Sequence, residues 1–150
     1  MSPDRYPRPK ANWNPFSGCE KVSAGCRFCY AEAIATGKRG CGSAFDQRFD
    51  LQLRLGRMDD PKRLTTPHLI FFGSMSDLFW EDVPPDVVER VIQVIEDTPR
   101  HIFMVQTKRP ERMLAQSQRR PFPPNLWAGV TIENQANAAR LDVLRQVNAH

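Results

Sequence analysis

Three short apolar runs, each followed by a stretch of helical periodicity, set the pattern of this chain. Residues 68–73, 101–105 and 126–132 are continuous rather than alternating in their apolar character, and each has the length of a strand. Such runs predict strands buried on both faces of a parallel sheet. After the first run, Pro84-Pro85-Asp86 suits an opening helical turn, and Val87, Val88, Val91, Ile92 and Ile95 then fall on one face of a helix. A shorter helix is predicted over 110–118, followed by a stiff proline connection over 121–124. A last helix is predicted to begin at Glu133-Asn134, with Leu141, Leu144 and Val147 on one face.

The pattern upstream is less regular. Residues 1–11 are polar and proline-rich and predict an extended arm, and 13–17 predict a short first strand. Y-A-E-A-I-A, ending at Ala35, is strong helix-forming sequence, with Gly37 or Gly40 as its stop. Leu51, Leu53 and Leu55 alternate with Gln52 and Arg54, the mark of a short half-exposed strand. Trp13, Trp80 and Trp127 read as packing anchors, Met75 as a buried filler, and His68 and His101 as structural residues opening strands. Strands near 68, 101 and 126, each with a following helix, make a βαβαβα series. The fold class is therefore α/β, a parallel sheet joined by right-handed crossovers.

At 150 residues the chain is long enough for one domain with a real core. Hydrophobic residues at 41% and charged residues at 25% give an ordinary globular balance, which excludes disordered and fibrous classes. No apolar run approaches the length that spans a bilayer, and the first residues lack a secretory apolar segment. The expectation is a cytoplasmic protein without a membrane partner, in which the four cysteines are reduced ligands rather than disulfides. A net charge of +4 permits an anionic partner without requiring one. The densest basic clusters, Arg119-Arg120 and Lys108-Arg109 with Arg112, are candidates for nucleic-acid contact or for solubilising surface.

Candidate chemistry centres on Cys19, Cys26 and Cys29, spaced C-x6-C-x2-C. A C-x2-C pair places two sulfurs over one turn, close enough to share one ion or one face of a cluster. Helix-forming sequence follows at once, so the positive end of a helix would favour the thiolates. In parallel α/β folds, chemistry gathers at the carboxyl ends of the strands. Counting the strand at Trp13 as the first, it delivers the cysteines, and the second delivers Ser74, Ser76 and Asp77. The third delivers Thr107, Lys108 and Arg109, and the fourth Thr131, Glu133 and Asn134. These polar residues and the cysteines are expected at one rim. Other readings stand beside this one. The cysteines suit structural zinc with Cys41 as a fourth ligand, which would make the chain a non-catalytic binding module, with nucleic acid as a candidate ligand. Asp77 and Thr107 are equally good helix caps, and Lys108 an ordinary surface lysine.

Cys26-Arg27-Phe28-Cys29 resembles the second half of the radical S-adenosylmethionine signature, C-x3-C-x-aromatic-C. The pieces W-N-P-F-S-G-C, G-C-R-F-C-Y-A-E, G-S-M-S-D-L-F-W-E-D-V-P, Q-T-K-R-P-E-R-M and P-P-N-L-W-A-G-V-T-I-E-N fall in order from Trp13 to Asn134. Together they resemble an uncharacterised, phage- and prophage-associated family of radical-SAM-like proteins. The first cysteine spacing departs from the superfamily signature, six residues in place of three, and G-S-M-S-D replaces the glycine-rich stretch many members carry. The resemblance implies a partial (β/α) barrel and a [4Fe–4S] cluster on Cys19, Cys26 and Cys29. It implies S-adenosylmethionine on the open iron, an electron donor as partner, and radical enzymology. Ser74, Ser76 and Asp77 would then face the methionine or ribose portion of the cofactor. Thr107 and Lys108 complete that cofactor site, Lys108 as a point charge for carboxylate or phosphate. The related barrels carry more βα units than the four strands counted before His150, and the sequence stops in a helical stretch without a glycine or proline signal. The expectation is an N-terminal portion of a barrel, completed by a longer parent, a C-terminal partner chain or self-association.

Overall fold

The computed structural model describes residues 9–37 and 48–149. In chain order these form β1 (Ala11–Trp13), β2 (Phe16–Ser17), α1 (Tyr30–Ala35), β3 (Gln52–Leu53), α2 (Asp60–Arg63), β4 (Leu69–Phe72), α3 (Pro85–Glu96), β5 (Ile102–Thr107), α4 (Pro110–Arg119), β6 (Leu126–Val130) and α5 (Arg140–Leu144). Four strands make one parallel sheet in the order β1-β4-β5-β6, so each parallel strand lies beside the next one in the chain. All four therefore end at the same rim. The α/β class and the parallel sheet follow the expectation from periodicity.

The core cluster lies where α3 buries its apolar stripe with the sheet. Pro85 opens the helix at a position where its missing N–H costs nothing. Val87, Val88, Val91, Ile92, Val94 and Ile95 are buried in the same cluster as Ile70, Phe72, Phe103 and Val105 from β4 and β5. Each such side chain stabilises the fold by about 1.5–3 kcal/mol when fully removed from water. Trp13 anchors the β1 side: it is 2% exposed, meets Phe72 and Phe103 edge-on at 5.2 and 5.7 Å, and donates its indole N–H to Arg57 O at 3.0 Å. Trp80 is buried and Met75 packs against Ala31 and Ala35, as expected. Trp127, by contrast, is 42% exposed, because β6 forms an edge of the sheet and presents it outward.

Several elements differ from the sequence-based reading. The first strand does not run from 13 to 17. Pro15 has no N–H to give a ladder, so β1 ends at Trp13 and β2 joins a separate two-stranded antiparallel ladder with β3. That ladder takes only Gln52 and Leu53 of the predicted strand, and Leu55 lies in a 3-10 turn. Strand β4 is fully buried on one face only, through Ile70 and Phe72, while Leu69 and Phe71 are half-buried. The last helix does not start at Glu133. Asn134 caps a 3-10 turn by accepting from Asn137 N, and the α-helix begins at Arg140. Gly37, at φ +76°, closes α1, while Gly40, Cys41 and most of the predicted arm lie outside the described residues. Among the described residues no helix is long and apolar enough to cross a membrane.

Candidate functional site

The rim at the carboxyl ends of the strands is built around the cysteine loop. Leaving β2, the chain turns through Gly18 at φ +104°, a conformation that glycine adopts freely and other residues rarely do. Gly18 N donates to Met75 O at 3.0 Å, and Gly18 bridges Ser76, so Cys19 is laid beside the loop that follows β4. Cys26 closes a 3-10 turn through its N–H to Ser23 O, and Cys29 stands at the N-cap of α1, as the helix-forming sequence predicted.

Cys19, Cys26 and Cys29 all line one cavity of about 290 Å³. Ser74, Ser76, Asp77, Thr107 and Lys108 line the same cavity. Thr131 also lines it, whereas Glu133 and Asn134 do not. Asp77 is buried, and its carboxylate accepts from Phe79 N, Lys108 N, Thr107 Oγ1 and Arg109 Nη1 at 2.7–3.3 Å. These donors use its acceptor capacity, so it organises the cavity wall rather than offering a free oxygen to a ligand. Asp77 caps no helix: α3 opens at Pro85 with Pro84 at its N-cap, and the Phe79 N–H bond closes only a turn. Thr107 is not a helix N-cap. It ends β5, donates to Asp77 and accepts from Arg109 N at 2.9 Å, while Arg109 occupies the N-cap position of α4. Ser74 Oγ is tied to Asn14 at 2.9 Å, and Ser76 Oγ is buried without a hydrogen-bond partner among the described residues. Lys108 is half-buried, its Nζ 3.8 Å from Glu133 Oε1.

Arg109 is the best-connected cation at the rim. Its guanidinium is almost wholly buried and reaches Glu81 Oε2 at 2.7 Å, Asp77 Oδ2 at 3.3 Å, Glu20 O at 3.2 Å and Cys19 Sγ at 3.6 Å. Burial pushes the Cys19 thiol up, the Asp77 carboxylate adds to this, and Arg109 opposes both. Burial acts the same way on Cys26, but the backbone donors at Val22 and Ser23 and the Ser23 hydroxyl outweigh it and hold that thiol below its ordinary value. Burial would also raise Glu133, yet the Ser23 hydroxyl, Arg140 and Lys108 keep its carboxyl below the usual range.

The donor set suits a thiophilic metal. Cys19, Cys26 and Cys29 are free thiols, each half-buried, on one wall of one cavity. Among the described residues, no group of three or more Cys, His, Asp or Glu side chains stands at metal-holding distance, so the fit lies in ligand chemistry and placement rather than in a closed coordination shell. Cys41 lies outside the described residues. Within the basic clusters, Arg119 and Arg120 pair with Glu89, Arg120 also with Glu96, and Arg109 as above. His101 is structural, its Nδ1 accepting from His68 N at 3.2 Å and its Nε2 facing Pro61 O at 3.0 Å.

Sequence reasoning missed three contributors. Asn14 steadies the loop after β4 through Ser74 and Met75 N, and its place between Trp13 and Pro15 in the W-N-P piece was the available signal. Tyr30 donates its hydroxyl to Ser74 O at 2.6 Å. Ser23 donates to Glu133 Oε1 at 2.6 Å across 110 residues, a contact with no local signature. No curated protein and no solved structure matches the chain. Residues 8–150 match the family model described as Protein of unknown function (DUF5131), and the chain belongs to that family.

Proposed function

We propose that this chain holds an iron–sulfur cluster on Cys19, Cys26 and Cys29 and belongs to an S-adenosylmethionine-dependent radical enzyme. The observation that carries the reading is that all three thiols share one cavity with Ser74, Ser76, Asp77, Thr107 and Lys108. When bound, the cluster supplies the electron that cleaves the cofactor, and the chemistry belongs to the cofactor pair rather than to a side chain. The protein's part is placement. Ser76 Oγ, buried and unpaired, is available to a polar group of the cofactor, and the Lys108 ammonium to its carboxylate. Asp77 and Thr107 fix the backbone from which Lys108 projects. The strand order, progressing without reversal, supports a partial barrel of βα repeats rather than a doubly wound sheet. The cytoplasm suits such an oxygen-sensitive centre, with an electron donor as partner.

Metal analysis after anaerobic purification tests the reading. The expected result is iron and sulfide with charge-transfer absorption, lost in Cys19→Ala, Cys26→Ala and Cys29→Ala and retained in Cys41→Ala. Adding S-adenosylmethionine to the reduced protein should alter the paramagnetic resonance of the cluster. A colourless protein with stoichiometric zinc that Cys41→Ala also loses would overturn the proposal in favour of a zinc-stabilised binding module.

A further inference from the structure

We propose that Glu133 is the positioning residue of the cysteine loop, holding it in its cavity-facing conformation before any metal binds. Glu133 follows β6, far from the cysteines in sequence, yet its carboxylate is clasped from both sides. Oε1 accepts the Ser23 hydroxyl at 2.6 Å. Oε2 accepts Asn137 Nδ2 and Arg140 Nη1, each at 2.8 Å, and Arg140 also donates to Thr131 O at 2.6 Å. Lys108 Nζ stands 3.8 Å from Oε1. The carboxylate is therefore locked to the chain after β6 and presents one oxygen to the loop. Ser23 also lies 3.8 Å from Cys26 Sγ and accepts, through its carbonyl, the N–H of Cys26 at 3.0 Å. One residue thus joins the latch to a thiol.

Gly25 carries a second, steric observation. A Cβ built there overlaps the Glu133 side chain, its three nearest atoms all belonging to that carboxylate arm. Glycine at this position lets the loop close down on Glu133. Gly25 needs no left-handed backbone, so an alanine there is acceptable to the main chain and meets Glu133 first. Fixing an anchor of this kind is what outer partners of metal ligands do, and their loss commonly weakens metal affinity about 10–100-fold. The link to metal affinity rests on the three-thiol reading above, whereas the ordering of the loop does not.

The test reads those two properties separately on the whole chain. Loop order is measured without metal, by hydrogen exchange at the amides of Cys26 and Arg27, which are bonded only when the 3-10 turn is formed. Thiol ligation is measured with cobalt(II), whose thiolate charge-transfer absorption reports binding. Ser23→Ala and Gly25→Ala should each speed exchange at both amides about tenfold and weaken cobalt binding about tenfold. Glu133→Gln, which keeps an acceptor for the Ser23 hydroxyl, should stay within about twofold of the parent protein in exchange. Gly25→Ala should add nothing further in a Glu133→Ala background, because its obstacle is gone. Unchanged exchange in both Ser23→Ala and Gly25→Ala overturns the latch, whether or not cobalt binds. Faster exchange in those variants, with no thiolate–cobalt absorption even in the parent protein, upholds the latch and sinks the three-thiol reading instead.

Discussion

At the scale of the residue, two kinds of buried polar group stand out beside the unpaired Ser76 Oγ: those that are saturated and those that are held in one protonation state. Asp77 and Thr107 are saturated, each bonded to neighbours that are themselves fixed. His101 belongs to the second kind. Its Nδ1 accepts from His68 N, so the proton of the neutral ring sits on Nε2 and is donated to Pro61 O. A second proton on Nδ1 would face an N–H, and burial lowers the pKa from the ordinary 6.5. The folded state therefore takes up its proton at lower pH than the unfolded chain. Stability is complete above 6.5 and is lost as pH falls from there through the folded value. Urea titrations between pH 7 and 5.5 should show unfolding free energy falling by at most about 1.4 kcal/mol per pH unit. His101→Gln should flatten that slope. Equal slopes in both proteins would assign the pH dependence to other groups.

At the scale of the element, the small antiparallel ladder of β2 and β3 does more than its length suggests, because it aims the cysteine loop. Gly18 leaves β2 at φ +104° with Asp50 O overlapping the place where a Cβ would stand, so an alanine there meets both a strained backbone and a carbonyl that cannot move aside cheaply. Gly37, at φ +76°, ends α1, and among the described residues nothing lies within 4 Å of where a Cβ would stand. The two positions separate conformation from contact. Gly37→Ala should cost about 1–2 kcal/mol, the left-handed penalty alone. Gly18→Ala should cost more, about 3 kcal/mol or beyond, and should also disturb the amide of Cys19, which donates to Phe49 O at 3.3 Å. Thermal unfolding and the amide spectrum of the two variants decide it. Equal losses would mean that the ladder adjusts around Gly18 and does not direct the loop.

At the scale of the molecule, part of the basic surface is met by acidic partners on a neighbouring helix. Arg120 crosses from the end of α4 to α3, where it reaches Glu89 Oε2 at 3.1 Å, Gln93 Oε1 at 3.0 Å and Glu96. Gln116 of α4 donates to the same Glu89 at 2.6 Å. Its hydrogen bond, the largest influence, together with the arginines, holds the Glu89 carboxyl below its usual range. This network ties two crossover helices together on their solvent side. Arg120→Ala should lower stability by about 1 kcal/mol at low salt, and by less at 1 M salt, where screening has already weakened the pairs. A loss independent of salt would assign the effect of Arg120 to packing of its stem.

Strands β4, β5 and β6, the position of α3 and the arrival of the cysteines and of Ser74, Ser76, Asp77, Thr107 and Lys108 at one rim were legible in the amino-acid order. Their causes are local: apolar runs of strand length, a stripe at helical spacing, and a chain direction that sends every parallel strand to the same end. The first strand and the last helix were not legible, because the two residues of β2 find their ladder partners at Gln52 and Leu53 and the chain after Val130 is shaped by Arg140 and Glu133. The burial of Arg109 and the hold of Glu133 on Ser23 join residues 90 and 110 positions apart. No window of sequence contains both members of such a pair. The order of residues determined which groups reach the rim, and the tertiary structure decided which of them are tied down, because a hydrogen bond depends on separation in space and not along the chain.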